Sequence, residues 1–304
     1  MRRSVIRALP DGSVLPVHPF HVCIKGLETA VLCRDDDDYD AMVKVICVSA
    51  WRCNVIVIIY AVVSNHCHVA ILAASQEDAD MYARDIKKVY SMWYSRKYGA
   101  RNILMRNETK AILLDSDWYV RNTLAYIPRN ALDNGRNVND YEWSGYRAMF
   151  VDSSTMNKWR KVSDLNARER KLIMHTGDKL DRVPWLLDNE NHLIPSSFCD
   201  HTYLEQAFNN NQSFFLKTIG AVNITELSYN LEERPYKMVS DTEFQKSAEE
   251  ISQRWFGKQI AALSIEQKNR LVPYVSHIMK TTPKQLCRVF EISPERMESM
   301  LQRK

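Results

Sequence analysis

The residues best suited to chemistry are two histidines one residue apart, His66 and His68. They follow the run from Val55 to Val63, which is apolar, rich in β-branched residues and free of Pro and Gly. Such a run predicts a buried strand. We expect a tight turn at Ser64-Asn65 and a second strand from Cys67 to Ala73, so the histidines lie where that second strand begins.

Side chains two positions apart on a strand point to the same face of a sheet. The sequence therefore predicts His66 and His68 side by side, with Cys67 turned towards the core. Two imidazoles at this spacing could share one divalent metal ion. The alternative is a polar strand face that binds no metal, and the spacing alone leaves this open. A zinc site with further cysteine ligands is not expected, because the sequence holds no C-x-x-C pair.

A second candidate pair is Tyr126 and Asn130, whose spacing puts both on one face of a continuous helix. Asn130 could offer its amide oxygen to the metal, and Tyr126 could act as a nucleophile. A tyrosine is a poor nucleophile while protonated, with a pKa of about 10. A metal that withdraws charge from a phosphate compensates by making the phosphorus more electrophilic. Attack would leave a phosphotyrosine and a free 3′-hydroxyl, so the strand could be rejoined. The Y-x-x-x-N pattern is common and gains meaning only beside the histidine pair.

Length and composition limit the class of protein. A chain of 304 residues is expected to form two or three domains, and 45% hydrophobic with 26% charged residues is ordinary for a soluble protein. No run of about 18 apolar residues occurs, and the first residues lack the apolar region of a signal peptide. Seven scattered cysteines fit a reducing compartment better than a disulfide framework. We expect a cytoplasmic protein without a membrane partner.

The stretch from Met81 to Arg136 is basic, with 11 Lys and Arg against 5 Asp and Glu, and aromatic residues run through it. Cations bind phosphates and aromatic faces stack on unpaired bases, so this mixture favours single-stranded nucleic acid. Alternatively, Tyr82, Tyr90 and Trp93 form the core stripe of an amphipathic helix and the cations its solvated face. The candidate DNA-binding residues are Lys87, Lys88, Arg96, Lys97, Arg101 and Arg129.

The pattern of apolar residues predicts an α+β fold for the first half of the chain. Asp35 to Asp38 could suggest a metal site, but they precede a helical pattern, and negative charge is favoured at a helix N-terminus. We interpret them as a helix cap. The predicted order is β-α-β-β-α-β-α, a ferredoxin-like antiparallel sheet with packed helices and one added helix. The remaining predicted elements are a strand at Pro19 to Lys25, a helix at about Gln76 to Tyr98, a strand at Thr109 to Leu114 and a helix at about Ser116 to Ile127.

Three regions follow from this pattern: a catalytic domain at 1–150, a helical middle region of unassigned role at 151–240, and a mostly α-helical region at 241–304. In the last region, Ser264 with Gln267 predicts a capping box. Short helices starting at Thr282-Pro283 and Ser293-Pro294 predict a helix-turn-helix. Packing of three helices without DNA contact is the alternative. The candidate DNA-binding residues here are Lys284, Arg288 and Arg296.

Several segments of the chain resemble one known family. Asn65-His66-Cys67-His68-Val69 resembles the N-H-V-H-L strand of the HUH single-tyrosine transposases, particularly the REP-associated tyrosine transposases. Tyr126 to Leu132 resembles that family's Y-I-x-x-N-P-V, and Asp140 to Arg147 its D-Y-x-W-S-S-Y-R. Phe20-His21-Val22 matches its opening Y-H-V, and Lys25 to Glu28 is similar to its R-G-N-E. The matches fall in the family's order over about residues 15–150.

The resemblance implies an HUH domain and a role for each candidate residue. His66 and His68 would bind Mg²⁺ or Mn²⁺, with Asn130 as the third ligand. Tyr126 would cleave single-stranded DNA at the foot of a hairpin formed by inverted or palindromic repeats. In related insertion-sequence enzymes two subunits complete the site, so a homodimer is one arrangement left open. Such a protein would be associated with the nucleoid.

Departures from the family pattern keep other functions open. Cys67 stands where the family prefers an aliphatic residue, and Ala131 replaces its proline. Pro128 lacks a backbone N–H and disfavours helical geometry at the residue before it, which predicts a helix that ends or kinks before Asn130. One alternative is a DNA-binding protein that does not cut. Another is a replication initiator or relaxase with two tyrosines, since Tyr119 lies two helical turns before Tyr126.

Overall fold

The structure of the chain is a computed structural model. It describes residues 4–26, 31–99, 104, 110–133, 137–150, 159–221, 241–279, 281 and 283–302. The chain divides into two compact units, Met1–Glu232 and Glu233–Lys304. Within the described residues, no helix combines the length and apolarity needed to cross a membrane.

The first unit is built on an antiparallel sheet, which confirms the predicted α+β class. The strands are β1 (Val5–Ala8), β2 (Val14–Lys25), β3 (Ile56–Val62), β4 (His66–Ala73) and β5 (Ile112–Leu113), with a separate pair β6 (Arg160–Lys161) and β7 (Leu186–Leu187). The strand order is β1-β2-β4-β3, and β5 pairs with β2 at Phe20 and His21, beyond the residues that pair with β1. The predicted first strand corresponds to β2, which is longer than expected and forms a hairpin with β1, a strand that was not predicted.

Helices alternate with these strands in the order expected from the sequence. In the first unit they are α1 (Asp36–Arg52), α2 (Gln76–Tyr98), α3 (Asp117–Asp133), α4 (Ala167–Ile173), α5 (His201–Ala207) and α6 (Gln212–Ala221). In the second unit they are α7 (Asp241–Phe256), α8 (Ile265–Met279), α9 (Pro283–Phe290) and α10 (Pro294–Gln302).

The aspartate run caps α1, as predicted. Asp35 is the N-cap residue and its side chain accepts a hydrogen bond from the Asp38 backbone N–H, while three aspartates occupy the first turn. The carboxylate of Asp38 is buried and accepts hydrogen bonds from the Tyr98 hydroxyl at 2.8 Å and from Lys97 Nζ at 2.7 Å. The run therefore stabilises a helix N-terminus and ties it to the end of α2.

Helices α1 and α2 cover the sheet face to which Cys67 points. Tyr82, Tyr90 and Tyr94 of α2 are fully buried in this layer. Burial raises the pKa of the Tyr82 phenol well above its usual value, and the nearby Cys67 thiol adds to the shift. The hydroxyl of Tyr90 donates to the Leu32 carbonyl at 2.6 Å. The aromatic stripe of α2 is therefore part of the core, and its interpretation as a base-stacking surface is wrong for these three tyrosines.

Helix α3 packs against strands β3 and β4. It continues through Pro128 to Asp133, so the helix end predicted before Asn130 is wrong, while the alternative prediction of a kink stays a prediction. Pro128 is buried where α3 packs on the sheet. Helices α5 and α6 also pack against α3. Such tertiary contacts stabilise a helix that local preference alone would interrupt.

The edge strand β3 is covered by segments from two later parts of the chain. Val62 N–H donates to the Trp143 carbonyl at 2.9 Å, and the Tyr141 hydroxyl donates to the Val62 carbonyl at 2.5 Å. At the other end of β3, Asp200 N–H donates to the Val57 carbonyl at 2.8 Å. Capping an exposed edge in this way prevents pairing with another chain.

The division into units falls at residue 232, not at the predicted boundary of 150. Residues of the predicted middle region belong to the same hydrophobic core as the sheet, including Tyr203, Phe208 and Phe215. Phe215 stacks against Tyr146 with ring centroids 6.0 Å apart. The described part of the middle region is thus a layer of the first unit.

The second unit is a small helical bundle with its own core, which includes Phe244, Leu271 and Phe290. The capping box predicted at its second helix is present. Ser264 N–H donates to Gln267 Oε1 at 2.9 Å, and Gln267 N–H donates to Ser264 Oγ at 3.3 Å. Helices α9 and α10 are joined by a short turn in which Glu291 has a φ of 51°.

Candidate functional site

The histidine pair lies on the sheet face opposite α1 and α2. In the register between β2 and β4, His66 is opposite Lys25 and His68 is opposite Cys23. His21 lies opposite Ala70, two positions further along both strands. Because alternate residues share a face, His21, Lys25 and the histidine pair belong to one surface of the sheet. His66 is partly exposed, and His68 is fully buried.

Helix α3 brings Tyr126 to this surface. The rings of His66 and His68 are 4.8 Å apart and nearly perpendicular. The ring of Tyr126 lies 5.2 Å from that of His68, edge to face, and the side chain is 4% exposed. The structure therefore brings together the two histidines and the tyrosine that the sequence singled out. Their assignment as metal ligands and nucleophile stays a prediction.

The His66 ring is oriented by its neighbour in the turn. Its Nδ1 lies 2.7 Å from Asn65 Oδ1. An amide oxygen only accepts hydrogen bonds, so Nδ1 carries the proton in this contact. In the neutral ring the other nitrogen, Nε2, then keeps its lone pair. This is the arrangement in which an imidazole binds a metal ion.

The second histidine contacts a third one. His68 Nδ1 lies 3.0 Å from His21 Nε2, and the two rings stack with centroids 5.2 Å apart. Burial lowers the pKa of His21 to about 3, with a further effect of the Lys25 charge. Burial, and then the charges of His66, His21 and Lys25, hold the pKa of His68 well below its usual value. Both buried rings are thus neutral at pH 7, and neutral imidazole is the form that binds metals.

Two residues near the pair were not assigned a role from the sequence. They are His21 and Lys25, and both occur in segments that carry the family resemblance. Lys25 influences the pKa of His21 and of His68, so its positive charge acts on the site. A cation beside neutral imidazoles makes the site electropositive, which suits a phosphate group. The alternation of residues 21, 23 and 25 on one strand was the signal that could have found them.

Asn130 lies on the same face of α3 as Tyr126. Its Nδ2 donates to the backbone carbonyls of Tyr126 and Ile127, both at 3.1 Å. These two bonds identify the nitrogen side of the amide, because carbonyls need a donor. The oxygen of the amide points away from them. Asn130 is 4% exposed, so any ligand it holds lies inside the fold.

The donor atoms of this site fit a metal ion that binds both nitrogen and oxygen ligands. Within the described ranges, no group of three or more His, Cys, Asp or Glu could hold a metal ion. An ion at this site would therefore have the two imidazoles and would need oxygen ligands from an amide, from water or from a substrate phosphate. Such a partly filled set suits a catalytic ion, which must keep open positions.

The predicted DNA-binding cations lie in several places. Lys88 and Arg96 are exposed on α2, across the sheet from Tyr126. They line a surface cavity of about 810 Å³ with Trp93 and Lys171. Arg296 is exposed on α10 of the second unit. Arg101 lies outside the described residues, as do the side chains of Lys284 and Arg288. Lys87 is half-buried on α2.

Two of these cations are engaged within the protein. Lys97 Nζ bonds the carboxylates of Asp35 and Asp38 at 2.6 and 2.7 Å. Although desolvation alone would lower its pKa, the hydrogen bonds to these carboxylates raise it. Arg129 donates to the carbonyl of Ile219 at 2.9 Å. The contacts give both residues a structural role that the charge pattern did not reveal.

Comparisons with known proteins give one partial likeness. No protein-family model matches the chain, and no curated protein matches it. A solved structure of a REP-associated tyrosine transposase bound to a REP hairpin is similar over 41% of this chain and 74% of that chain. The TM-score is 0.36 and the sequence identity 16%. A likeness at this level carries no argument about activity, which must rest on the residues of this chain.

Proposed function

We propose that the chain is a metal-dependent single-strand DNA nickase and strand transferase, a transposase of the HUH single-tyrosine type. One observation carries this proposal: Tyr126 on α3 is distant in sequence from His66 and His68 on β4, yet the three rings form a continuous cluster with spacings of 5.2 and 4.8 Å. A tyrosine beside two imidazoles is the arrangement needed to attack a phosphodiester held by a cation.

The strand order supports the assignment of a ferredoxin-like HUH domain. Omitting the β1 hairpin, the order is β5-β2-β4-β3. Helix α1 connects β2 to β3, and α2 connects β4 to β5. This order and these connections agree with the ferredoxin-like pattern predicted from the sequence, followed by the added helix α3.

In the proposed reaction, Tyr126 Oη attacks the phosphorus of a single-stranded DNA backbone. The phenol loses its proton as the Oη–P bond forms. The bond from phosphorus to the 3′ oxygen breaks, and that oxygen takes up a proton to become a free hydroxyl. His66, His68 and Asn130 would hold Mg²⁺ or Mn²⁺, which when bound withdraws charge from the phosphate oxygens. The resulting 5′-phosphotyrosine conserves the bond energy for rejoining.

The electrostatics of the site agree with an anionic substrate. Lys25 lies on the same strand as His21 and on the strand that pairs with that of His68; its charge lowers the pKa of both histidines, and these buried imidazoles are neutral. The site therefore offers the positive charge of Lys25 to an anion. We propose that Lys25 contacts the phosphate backbone next to the scissile bond.

The second unit would add sequence-specific DNA binding. The prediction of a helix-turn-helix is supported by two short helices, α9 and α10, that are joined by a turn at Glu291 and preceded by α8. Arg296 is exposed on the second of these helices, which is the one that enters the major groove in such motifs. The proposed partner is DNA carrying hairpin-forming repeats.

The burial of Tyr126 favours a second candidate, a DNA-binding protein that keeps this fold without cutting. With 4% of its side chain exposed, the tyrosine must gain access to the phosphate before it can attack. DNA affinity that is unchanged in Tyr126→Phe, together with no metal uptake in calorimetry, would favour a protein of this kind.

The deciding experiment incubates the purified chain with Mn²⁺ and labelled hairpin oligonucleotides from the flanks of its own gene. A covalent protein–DNA adduct should form, and Tyr126→Phe should abolish it. Tyr119→Phe is the matched control, because it removes a hydroxyl from the same helix and should leave the adduct intact. Loss of the adduct in Tyr119→Phe would favour the two-tyrosine class.

The opposite outcome is equally clear. If the wild type binds the hairpins but forms no adduct across a full set of flanking sequences, the enzymatic function fails and the non-cutting protein is supported. Inverted repeats on both sides of the gene would strengthen the transposase assignment independently.

A further inference from the structure

A third histidine, His21, lies beside the pair and is fully buried. Its Nε2 is 3.0 Å from Nδ1 of His68, and the two rings are stacked within 21° of parallel. Strand pairing holds this contact in place, because β2 and β4 are in register from Lys25↔His66 to His18↔Ala73. The register therefore places the two rings on one face of the sheet, as diagonal neighbours on adjacent strands.

Only one proton can lie between these two nitrogens. If His68 Nδ1 carries it, the neutral His68 ring keeps a lone pair on Nε2. If His21 Nε2 carries it, Nδ1 of His68 is the acceptor, and the neutral ring must then be protonated on Nε2. A protonated nitrogen cannot bind a metal ion. The His21 contact thus determines whether the other side of the His68 ring can be a ligand.

We propose that His21 is a positioning residue for the metal site: it accepts the Nδ1–H of His68 and so presents His68 Nε2 to the ion. This inference rests on the proposed function, since it assumes that His68 is a ligand. It adds a residue and a hydrogen bond that the family resemblance did not assign.

The neighbouring ligand is held in the same way. His66 gives its Nδ1–H to Asn65 Oδ1 at 2.7 Å, and in the proposed arrangement His68 gives its Nδ1–H to His21 Nε2 across the 3.0 Å contact. Metal-bound histidines commonly donate their second N–H to an acceptor that fixes the ring and its tautomer. Here an amide oxygen serves one histidine and an imidazole nitrogen serves the other.

The burial of His21 needs such an explanation. Within the part of the chain that the structure describes, its Nδ1 has no hydrogen-bond partner. A buried polar atom without a partner is destabilising, and an apolar side chain of similar shape would avoid that cost. A functional contact made by the other nitrogen, Nε2, accounts for a histidine at this position.

Two substitutions separate positioning from packing. His21→Phe keeps a flat ring but removes the acceptor, and we expect it to weaken Mn²⁺ binding roughly 10–100-fold. His21→Gln places an amide oxygen near the position of Nε2 and should keep the affinity within about threefold of wild type, the range expected when an equivalent acceptor is retained. Titration calorimetry with Mn²⁺ alone measures both, and thermal melting in EDTA shows whether each variant is folded.

A tautomer measurement tests the same inference without any variant. In long-range ¹H–¹⁵N spectra of the histidine-labelled wild-type chain with saturating Mg²⁺, His68 should be protonated on Nδ1 and not on Nε2. His21 should show an unprotonated Nε2. The reverse pattern would overturn the inference even if His21→Phe fails to fold.

The remaining outcomes are distinguishable. If the wild type binds Mn²⁺ and His21→Phe binds it equally well, only the role of His21 fails. If both variants lose affinity equally, the effect is one of packing and the inference also fails. If the wild type takes up no Mn²⁺, the metal site of the proposed function fails and this inference with it. Adduct formation is not needed for any of these readings.

Discussion

The ring of Tyr126 on α3 lies 5.2 Å from the ring of His68 on β4, edge to face. The contact is a packing interaction, because both side chains are buried, and in the proposed function it also places the nucleophile beside the metal site. A substitution that keeps the aromatic ring should therefore separate chemistry from stability.

Tyr126→Phe should fold like the wild type. The ring stays, and the loss of one hydroxyl changes the free energy of unfolding by about 0.5–1.5 kcal/mol. Tyr126→Ala should destabilise the protein by about 3–5 kcal/mol, as for other buried aromatic residues. Urea denaturation followed by circular dichroism checks both. A strongly destabilised Tyr126→Phe would make it unsuitable for the adduct experiment and would indicate a larger structural role of the hydroxyl.

Gly26→Ala should disturb the turn that holds His66. A Cβ at Gly26 would lie 3.0 Å from the Asn65 carbonyl oxygen and 2.9 Å from Leu32 Cγ. Gly26 N–H also donates to that same carbonyl at 2.8 Å. Overpacking of this kind costs about 1–3 kcal/mol, and displacement of Asn65 should weaken Mn²⁺ binding. Gly177→Ala is the control, because a Cβ there meets no atom within 4 Å. Equal behaviour of the two variants would show that the close approach is unimportant.

Lys97→Met and Lys88→Met should have different effects. Lys97 bonds the buried carboxylate of Asp38, so its loss leaves that carboxylate with fewer partners and should lower stability by about 1–3 kcal/mol. Lys88 is exposed and should affect only the affinity for single-stranded DNA, more strongly at low salt. Thermal melting and fluorescence anisotropy with a labelled oligonucleotide distinguish the two. A stable Lys97→Met with reduced DNA affinity would restore the role predicted from the charge pattern.

Local patterns predicted the elements well where neighbouring residues decide them. The range of α2 and the cap at Asp35 follow from apolar spacing and helix-terminus chemistry, and the structure has both. Pro128 shows the limit of such rules. It disfavours a helix locally, yet α3 continues because its buried face packs on the sheet.

Features created by pairing of distant segments could not be predicted in this way. The contact of His21 with His68 depends on the register between β2 and β4, which one sequence does not reveal. The same holds for Asp200. Its backbone N–H donates to the Val57 carbonyl at the sheet edge, and this hydrogen bond ties the middle region to the sheet. The aromatic stripe of α2 was ambiguous, because core tyrosines and base-stacking tyrosines have the same spacing. Only burial decides between them.

Acid should destabilise the metal-free protein partly through His21. Its pKa is about 3 in the folded chain, against about 6.5 for an ordinary histidine. Between these values the unfolded chain binds a proton that the folded chain does not, so stability rises with pH and is lost as the pH falls through this range. His21→Phe removes this group. The free energy of unfolding of the variant should therefore fall less between pH 7 and pH 5 than that of the wild type. Urea denaturation in EDTA at both pH values measures this, and equal losses in the two proteins would contradict it.

The cysteines should report occupancy of the site. Cys33, Cys47, Cys53, Cys67 and Cys199 are buried, and burial raises the pKa of their thiols, to about 12 for Cys33 and about 11 for Cys53. Reaction with a thiol reagent needs an accessible thiolate. In the folded protein only the two partly exposed thiols, Cys23 and Cys287, should react rapidly.

Cys23 lies opposite His68 in the strand register, on the face that would receive the DNA. A bound hairpin with Mn²⁺ should therefore slow its alkylation. Cys287 lies on α9, in the second unit. Its labelling rate in Mn²⁺ alone, measured before DNA is added, serves as the internal reference. Mass spectrometry of the labelled peptides gives both rates. Unchanged labelling of Cys23 at DNA concentrations that saturate binding would place the nucleic acid elsewhere, and the cavity beside Lys88 and Arg96 would become the surface to test next.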